Sequence, residues 1–271
     1  MLLALACATD PEPTEPPAEP RRIVAVAPAI SEILFALGLG ERVVAVGDYA
    51  EWPPEVRELP RLGGLHDPRL ELAASLEPDL AVLLPNEEEL ARRLRHLGVE
   101  VLTVPLETVD DIPRAVRRIA ARSGVPERGE SVAGELEERL APRPLPDAPR
   151  VLLTIGREPG RLSGILTAGP GNFLDELLAR LGARNLFADS PISYPEVGLE
   201  EILARRPEAI VELHPEELPE VAIERLRADW RRMAELPAVE GERIHVLTGS
   251  HTVLPGPRLP LLYEALEEAL R

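Results

Sequence analysis

Residues 70–83 of this 271-residue chain read LELAASLEPDLAVL, and residues 199–211 read LEEILARRPEAIV. In each stretch a glutamate opens an apolar helical pattern, a proline follows seven positions later, and a run of strand-forming residues comes next. The residues concerned are Glu71 and Pro78 in the first stretch, and Glu200 and Pro207 in the second. A helix that stops at a proline before a buried strand is typical of α/β proteins. The sequence therefore predicts two similar α/β units.

The correspondence between the two halves continues upstream of these stretches. Residues 22–26 match residues 150–154 as first strands, and residues 32–38 match residues 176–182 as helices that end at glycine. Between the halves, residues 128–140 have a helical pattern that a proline-rich segment ends. We predict an α/β protein of two Rossmann-like lobes with mainly parallel sheets, joined by one long backbone helix.

The predicted division of the chain has four parts. Residues 1–20 form a signal remnant or lipid anchor with a disordered tether, and residues 21–122 form the N-terminal lobe. Residues 123–148 form the connecting helix and linker, and residues 149–271 form the C-terminal lobe. Because a single helix connects the lobes, we expect a stiff molecule.

The composition is that of a globular protein with an acidic surface. Apolar residues make up 45% of the chain, which is enough for two hydrophobic cores. The formal net charge is -17, whereas binding to nucleic acid requires clustered positive charge on the protein. We therefore expect no nucleic-acid partner.

The first residues resemble the end of a bacterial lipoprotein signal peptide. A leucine-rich run at residues 2–6 precedes Cys7, the only cysteine of the chain. Residues 8–20 hold five prolines and three glutamates, which is typical of an extended tether. We expect a lipid on Cys7 that anchors the protein on the periplasmic or extracytoplasmic side of a membrane; the alternative is a short frayed terminus without function. No run of eighteen apolar residues is available to span a membrane.

Aromatic side chains follow predicted strands in both lobes. Tyr49 and Trp52 follow a strand at residues 43–46, and Tyr194 lies in the corresponding loop of the second lobe. Open α/β sheets bind ligands at the carboxyl ends of their strands, so we predict that these three rings face a cleft between the lobes. His251, in the loop after the last strand, is a further candidate for ligand binding.

Patterns that would indicate catalysis are missing from the sequence. Residues 167–172, TAGPGN, form a glycine-rich entry to a helix, but neither a lysine nor G-x-G-x-x-G accompanies it, so a phosphate site is not favoured. G-x-S-x-G, H-E-x-x-H and C-x-x-C do not occur, and the five histidines are scattered. The sequence favours a binding protein over an enzyme.

Nine segments, in order, carry a family resemblance that covers the chain from about Arg21 to its end. They are residues 22–26, 32–38, 49–54, 60–64, 67–79, 171–178, 195–207, 236–239 and 255–258. Together they resemble the periplasmic metal-chelate binding proteins with a helical backbone, which are the cobalamin, ferric siderophore and haem receptors of ABC importers. In that family each lobe presents one surface glutamate to arginines of the permease. The resemblance implies that Glu71 and Glu200 dock the permease dimer, which works with its ATPase; first-turn compensation of the helix dipole is the plainer explanation for either residue alone.

The resemblance also implies that the protein carries a metal chelate as its ligand rather than a resident cofactor. Tyr49 and Tyr194 correspond to aromatic positions that line the cleft of cobalamin receptors, whereas Leu84 stands where the well-known cobalamin receptor carries tryptophan. His66 lies near the segment that supplies the axial ligand in haem receptors. We expect cobalamin or another corrinoid first, then a ferric siderophore, then haem.

Two further points concern charge and an alternative function. Arg157 and Arg161 would pair with the anionic groups of a siderophore. A two-lobed Rossmann-like fold also occurs in enzymes, so a cytosolic corrinoid- or tetrapyrrole-handling enzyme is the alternative. We expect a monomer without enzymatic activity.

Overall fold

The computed structural model describes residues 19–64 and 67–271. The N-terminal lobe contains a four-stranded sheet in the order β2-β1-β3-β4, and all its neighbouring strands are parallel. Its strands are β1 (Ile23–Ala25), β2 (Val43–Val46), β3 (Leu80–Leu83) and β4 (Glu100–Thr103). Its helices are α1 (Pro28–Ala36), α2 (Leu70–Ser75), α3 (Glu88–His96) and α4 (Asp111–Arg122). The strands are mostly buried because helices cover the parallel sheet.

Helix α5 (Pro126–Arg139) follows the N-terminal lobe and packs against α4. Gly129 makes this contact possible, since a Cβ atom at that position would lie 2.4 Å from the Cβ of Ala120. A proline at the start of α5 fits its first turn, where an amide hydrogen is not needed. The predicted connecting helix is present.

The C-terminal lobe contains a mixed sheet in the order β10-β9-β5-β6-β8, with β7 paired to β5. Its strands are β5 (Arg150–Gly156), β6 (Ile165–Thr167), β7 (Arg184–Asn185), β8 (Glu196–Val197), β9 (Ala209–His214) and β10 (Ile244–Thr248). Its helices are α6 (Phe173–Arg180), α7 (Leu199–Arg205), α8 (Glu220–Arg231), α9 (Pro237–Glu240) and α10 (Leu259–Leu270). Strands β5, β7, β9 and β10 are parallel, whereas β6 and β8 add an antiparallel edge.

One hydrophobic cluster extends through both lobes. It contains Ile33 and Ile112 of the N-terminal lobe, Leu136 of α5, and Leu177 and Leu266 of the C-terminal lobe. Polar contacts fasten the same junction, because the hydroxyl of Tyr263 donates to the carbonyl of Ala141 (3.1 Å) and Arg139 pairs with Glu264 (2.9 Å). The connecting segment is therefore packed on both sides.

Two helix starts differ from the sequence-based expectation. Helix α1 begins at Pro28 instead of residue 32, since proline at the first helical position extends the helix toward β1. Asp67 followed by a proline is the sequence pattern of a cap for α2, but its carboxylate accepts from the amide of Gly64 (3.1 Å) and the helix begins at Leu70. In the part of the chain that the structure describes, no helix combines the length and the apolar character that crossing a membrane requires.

Candidate functional site

The loop that carries Tyr49 and Trp52, residues 47–54, leaves the carboxyl end of β2. Gly47 lies so close to β1 that a Cβ atom there would be 2.1 Å from the carbonyl oxygen of Val26. The guanidinium of Arg61 donates to the carbonyl oxygens of Gly47 (2.9 Å) and Ala50 (2.6 Å). The loop is thus fixed from two sides, while the side chains of Tyr49 and Trp52 are 77% and 46% exposed.

The loop that carries Tyr194, residues 189–195, is held by the glycine-rich entry to α6. Asn172 caps this helix with its side-chain oxygen, which accepts from the amides of residues 174 (3.0 Å) and 175 (3.1 Å). Its side-chain nitrogen donates to the carbonyl oxygens of Ser193 (2.7 Å) and Gly169 (3.1 Å). A Cβ atom on Gly169 would lie 2.4 Å from the carbonyl oxygen of Ile192, so glycine permits this close approach.

Four backbone amides at the same entry are engaged within the protein and are not offered to a phosphate. The amide of Gly171 donates to Asp175 (3.2 Å), and the amide of Phe173 donates to the carbonyl oxygen of Glu107 (2.8 Å). With the two amides that Asn172 accepts, all four are engaged within the protein. Like the sequence pattern, the structure does not favour a nucleotide site here. Residues 167–172 instead hold the Tyr194 loop in place.

Both aromatic loops lie at the boundary between the lobes. Tyr194 is 41% exposed, and partial burial, together with the negative charge of Glu107, raises the pKa of its hydroxyl. Glu107 follows β4 and belongs to the N-terminal lobe, so Tyr194 lies near the opposite lobe. Trp52 contacts the opposite lobe, because the guanidinium of Arg258 lies over its ring, 5.0 Å from the centroid.

Arg258 connects the lobes through a buried ion pair with Glu32. Its Nε donates to Oε2 of Glu32 (3.0 Å), and one terminal nitrogen donates to the other carboxylate oxygen and to the hydroxyl of Ser250 (2.9 Å). Glu32 is only 4% exposed; this burial raises the pKa of its carboxyl, although the hydrogen bond and charge of Arg258 oppose the rise. Sequence analysis missed this pair because its members are 226 positions apart.

His251 lies beside Ser250 and near Arg258. Burial, and then the positive charge of Arg258, lower the pKa of the His251 imidazole, while Glu217 partly opposes the shift. The ring is therefore neutral near pH 7, which is the form in which an imidazole binds a metal. The described residues contain no group of three or more His, Cys, Asp and Glu side chains arranged to hold a metal ion.

Arg157, which was predicted to contact an anionic ligand, is buried and engaged within the protein. Its guanidinium, 1% exposed, pairs with Glu212 of β9 (2.8 Å) and Asp229 of α8 (3.0 Å). Both partners are distant in the sequence, so the linear pattern could not indicate that this arginine is buried. Arg161 is exposed and pairs with Glu158 (3.0 Å).

The remaining predicted residues fall into two groups. Glu71 and Glu200 are exposed in the first turns of α2 and α7, and in the described part of the chain neither has an ion pair, whereas the neighbouring Glu201 pairs with Arg205 (3.1 Å). Cys7 and His66 lie outside the described residues.

A groove of about 370 Å³ adjoins Glu71, and Leu84 lines a separate cavity of about 920 Å³ beside α3. The groove is lined by Leu70, Ala74, Arg92, Arg93, His96 and Leu97.

Comparison with known proteins identifies the fold and the family. The model of a periplasmic binding protein family matches residues 23–250. The vitamin B12-binding protein of Vibrio cholerae serotype O1 is 30% identical over 253 residues, which is 89% of this chain and 85% of that protein.

Two solved structures share the architecture over most of their length. The periplasmic vitamin B12 binding protein BtuF of Vibrio cholerae has a TM-score of 0.77 at 30% identity, covering 93% of this chain and 96% of that one. The periplasmic haem-binding protein RhuT from Roseiflexus sp. RS-1, in its apo form, has a TM-score of 0.76 at 28% identity, covering 92% and 97%. The predicted two-lobed α/β fold is confirmed, and the chain belongs to the periplasmic binding protein family.

Proposed function

We propose that this protein is the substrate-binding component of an ABC importer and that it captures cobalamin or a related corrinoid in the cleft between its lobes. The observation that carries the proposal is the match along nearly the whole chain to a vitamin B12-binding protein. The position of the aromatic loops supports it, since Trp52 contacts Arg258 of the opposite lobe and Tyr194 lies near Glu107 of the opposite lobe. A corrin is a broad and partly apolar disc, which flat aromatic side chains suit.

The pairing of the arginines considered for an anionic ligand, and of Arg258 at the lobe boundary, favours a corrinoid over more anionic chelates. Arg157, Arg161 and Arg258 are each paired with a carboxylate of the protein. The propionates of haem and the oxygens of many siderophores need unpaired cations, whereas the amide groups around a corrin need only hydrogen-bonding partners. Haem is the second candidate ligand, because RhuT is 28% identical to this chain and His251 is neutral near pH 7.

The partner in transport is the permease dimer of the importer with its ATPase. Glu71 and Glu200 are exposed carboxylates on repeated helices, and the absence of ion pairs to them within the described residues leaves both available for arginines of a permease. The protein acts as a monomer without catalytic activity. A lipid on Cys7 anchors it outside the cytoplasm, within reach of the transporter.

Calorimetric titration of the purified protein with cyanocobalamin, haemin and a ferric hydroxamate tests the ligand. We expect one cyanocobalamin to bind per chain and the other two chelates to bind more weakly. Binding of haemin with a shifted Soret band, without binding of cyanocobalamin, would make haem the ligand. Mass spectrometry of protein expressed from its full reading frame tests the anchor, which an unmodified Cys7 would contradict.

A further inference from the structure

Trp52 of the N-terminal lobe has a partner from the C-terminal lobe on one side of its ring. The guanidinium of Arg258 lies 5.0 Å from the ring centroid, while 46% of the Trp52 surface remains exposed. A guanidinium that stacks on an aromatic ring covers one face of that ring. The exposed part of Trp52 is therefore its other face and its edge. A ligand can therefore contact the exposed part of Trp52 but not the face that Arg258 covers.

The position of Arg258 is itself determined by buried groups. Its fork of donors engages both carboxylate oxygens of Glu32 and the hydroxyl of Ser250. Two-point pairing fixes the plane of a guanidinium as well as its position. Because the side chain of Glu32 is 4% exposed and that of Arg258 is 16% exposed, neither can leave the pair without stranding a buried charge.

We propose that Arg258 is a positioning residue that sets the Trp52 ring from the opposite lobe, so that the N-terminal wall of the ligand site depends on the joining of the two lobes. The inference rests on the proposed function, in which Trp52 contacts the ligand. Arg258 acts through Trp52, and its ion pair with Glu32 supplies the fixed orientation.

The substitution Arg258→Lys tests whether the orientation of the guanidinium matters separately from its positive charge. Arg258→Lys keeps a cation near Glu32 but has neither the planar face nor the two-point donor fork. Arg143 offers a matched control, because it also pairs with a carboxylate, that of Glu267 (2.9 Å), and lies over an aromatic ring, that of Tyr263 (4.7 Å). It does so at the junction with α10, apart from Trp52 and Tyr194.

Affinity for cyanocobalamin, measured by calorimetry, gives the first readout. We expect Arg258→Lys to weaken binding about two- to tenfold, the factor that corresponds to one aromatic contact, and Arg143→Lys to leave it unchanged. In a Trp52→Ala background Arg258→Lys should have no further effect, since the two residues act through one ring. Independent, additive effects of the two changes, or parental affinity in Arg258→Lys, would overturn the proposal.

Acrylamide quenching of Trp52 in the ligand-free protein gives the second readout. The chain has two tryptophans, and Trp230 is fully buried. Subtracting the emission of Trp52→Phe from that of the parent therefore gives the emission of Trp52. Arg258→Lys should increase the quenching of this signal, and Arg143→Lys should not. If Arg258→Lys does not fold, the neutral pair Glu32→Gln/Arg258→Gln replaces it with the same expectations. Failure of the parent to bind cyanocobalamin would refute the ligand, whereas unchanged Trp52 quenching would refute the positioning role.

Discussion

The side-chain nitrogen of Asn172 donates a 2.7 Å hydrogen bond to the carbonyl oxygen of Ser193, the residue before Tyr194. The same side chain caps α6 through its oxygen. One buried amide therefore joins the start of a helix to the loop that presents an aromatic ring at the lobe boundary. The position of Tyr194 depends on a residue that does not itself need to touch the ligand.

Replacing Asn172 by serine should separate these two tasks. Serine caps helices about as well as asparagine but cannot donate to Ser193 and Gly169 in the same way. We expect a loss of about 1–3 kcal/mol in the free energy of unfolding and a severalfold loss of corrinoid affinity. Asn185→Ser is the control, because Asn185 donates to Gly169 (3.1 Å) and Asp175 (2.9 Å) rather than to Ser193. Equal affinity losses in both variants would contradict a specific role for the bond to Ser193.

The exposed tyrosines should contribute directly to ligand binding. Tyr49→Ala and Tyr194→Ala each remove one aromatic face, for which about 0.5–1.5 kcal/mol of binding free energy is expected. The melting temperature should change little for Tyr49→Ala, since Tyr49 is largely exposed, and somewhat more for Tyr194→Ala, since more than half of Tyr194 is buried. Leu97→Ala, a change at an exposed apolar residue next to the start of β4, should not alter affinity. Calorimetric titration that finds parental affinity in both tyrosine variants would place the ligand elsewhere.

Removal of Glu71 and Glu200 together, the two glutamates proposed to dock the permease, should abolish transport without affecting ligand capture. We expect Glu71→Ala/Glu200→Ala to bind cyanocobalamin like the parent but to fail in uptake by proteoliposomes that contain the permease and its ATPase. Glu89→Ala/Glu201→Ala loses the same charge from exposed helices, at carboxylates that already pair with arginines. This control should transport normally. Normal uptake with the first variant would leave the two glutamates as helix-dipole partners only.

The buried position of Arg157 predicts a structural effect. Arg157→Met removes the buried cation that Glu212 and Asp229 share, and it leaves Asp229 with Arg232 (3.3 Å) as its outer ion-pair partner. Breaking a buried pair typically costs about 3–5 kcal/mol in the free energy of unfolding. Arg161→Ala breaks only an exposed pair with Glu158 and should have no measurable effect. Denaturant unfolding checks both values. A stable Arg157→Met variant with reduced ligand affinity would restore Arg157 to the binding site.

Glu32 should make the stability of the protein depend on pH. Because burial raises the pKa of its carboxyl above the ordinary 4.5, the folded state holds the proton more tightly than the unfolded state. Its stabilising contribution is fully present below the unfolded pKa and is lost as the pH rises through the folded pKa. The free energy of unfolding of the parent minus that of Glu32→Gln should therefore fall as the pH rises above the ordinary pKa of a glutamate. A difference that rises over this range would contradict the expectation.

Sequence patterns predicted the fold where local rules act. Strand β2 has the predicted bounds, and the two glutamate-bearing helices, α2 and α7, are both present. Hydrophobic periodicity and proline positions carry that information within a few residues. The antiparallel edge formed by β6 and β8 was not predicted, because two- and three-residue strands leave almost no periodic signal.

The candidate site was less predictable because its geometry comes from distant residues. The aromatic loops could be placed at the ends of strands, and the structure finds both at the lobe boundary. The burial of Arg157 depends on Glu212 and Asp229, which lie 55 and 72 positions further along the chain. The ion pair of Arg258 with Glu32 depends on the docking of one lobe against the other. Neither ion pair can be predicted from the sequence pattern alone.

The hydrophobic cluster that runs from Ile33 through Leu136 to Leu266 bears on the ancestry of the repeat. The two halves share a sequence pattern of the kind that gene duplication produces. The side chains at the junction of the two halves are buried, so each half depends on the other to cover its apolar face. A fragment cut at residue 122 would expose apolar faces that water penalises. Because the two halves share this core, we expect them to unfold together in a single transition.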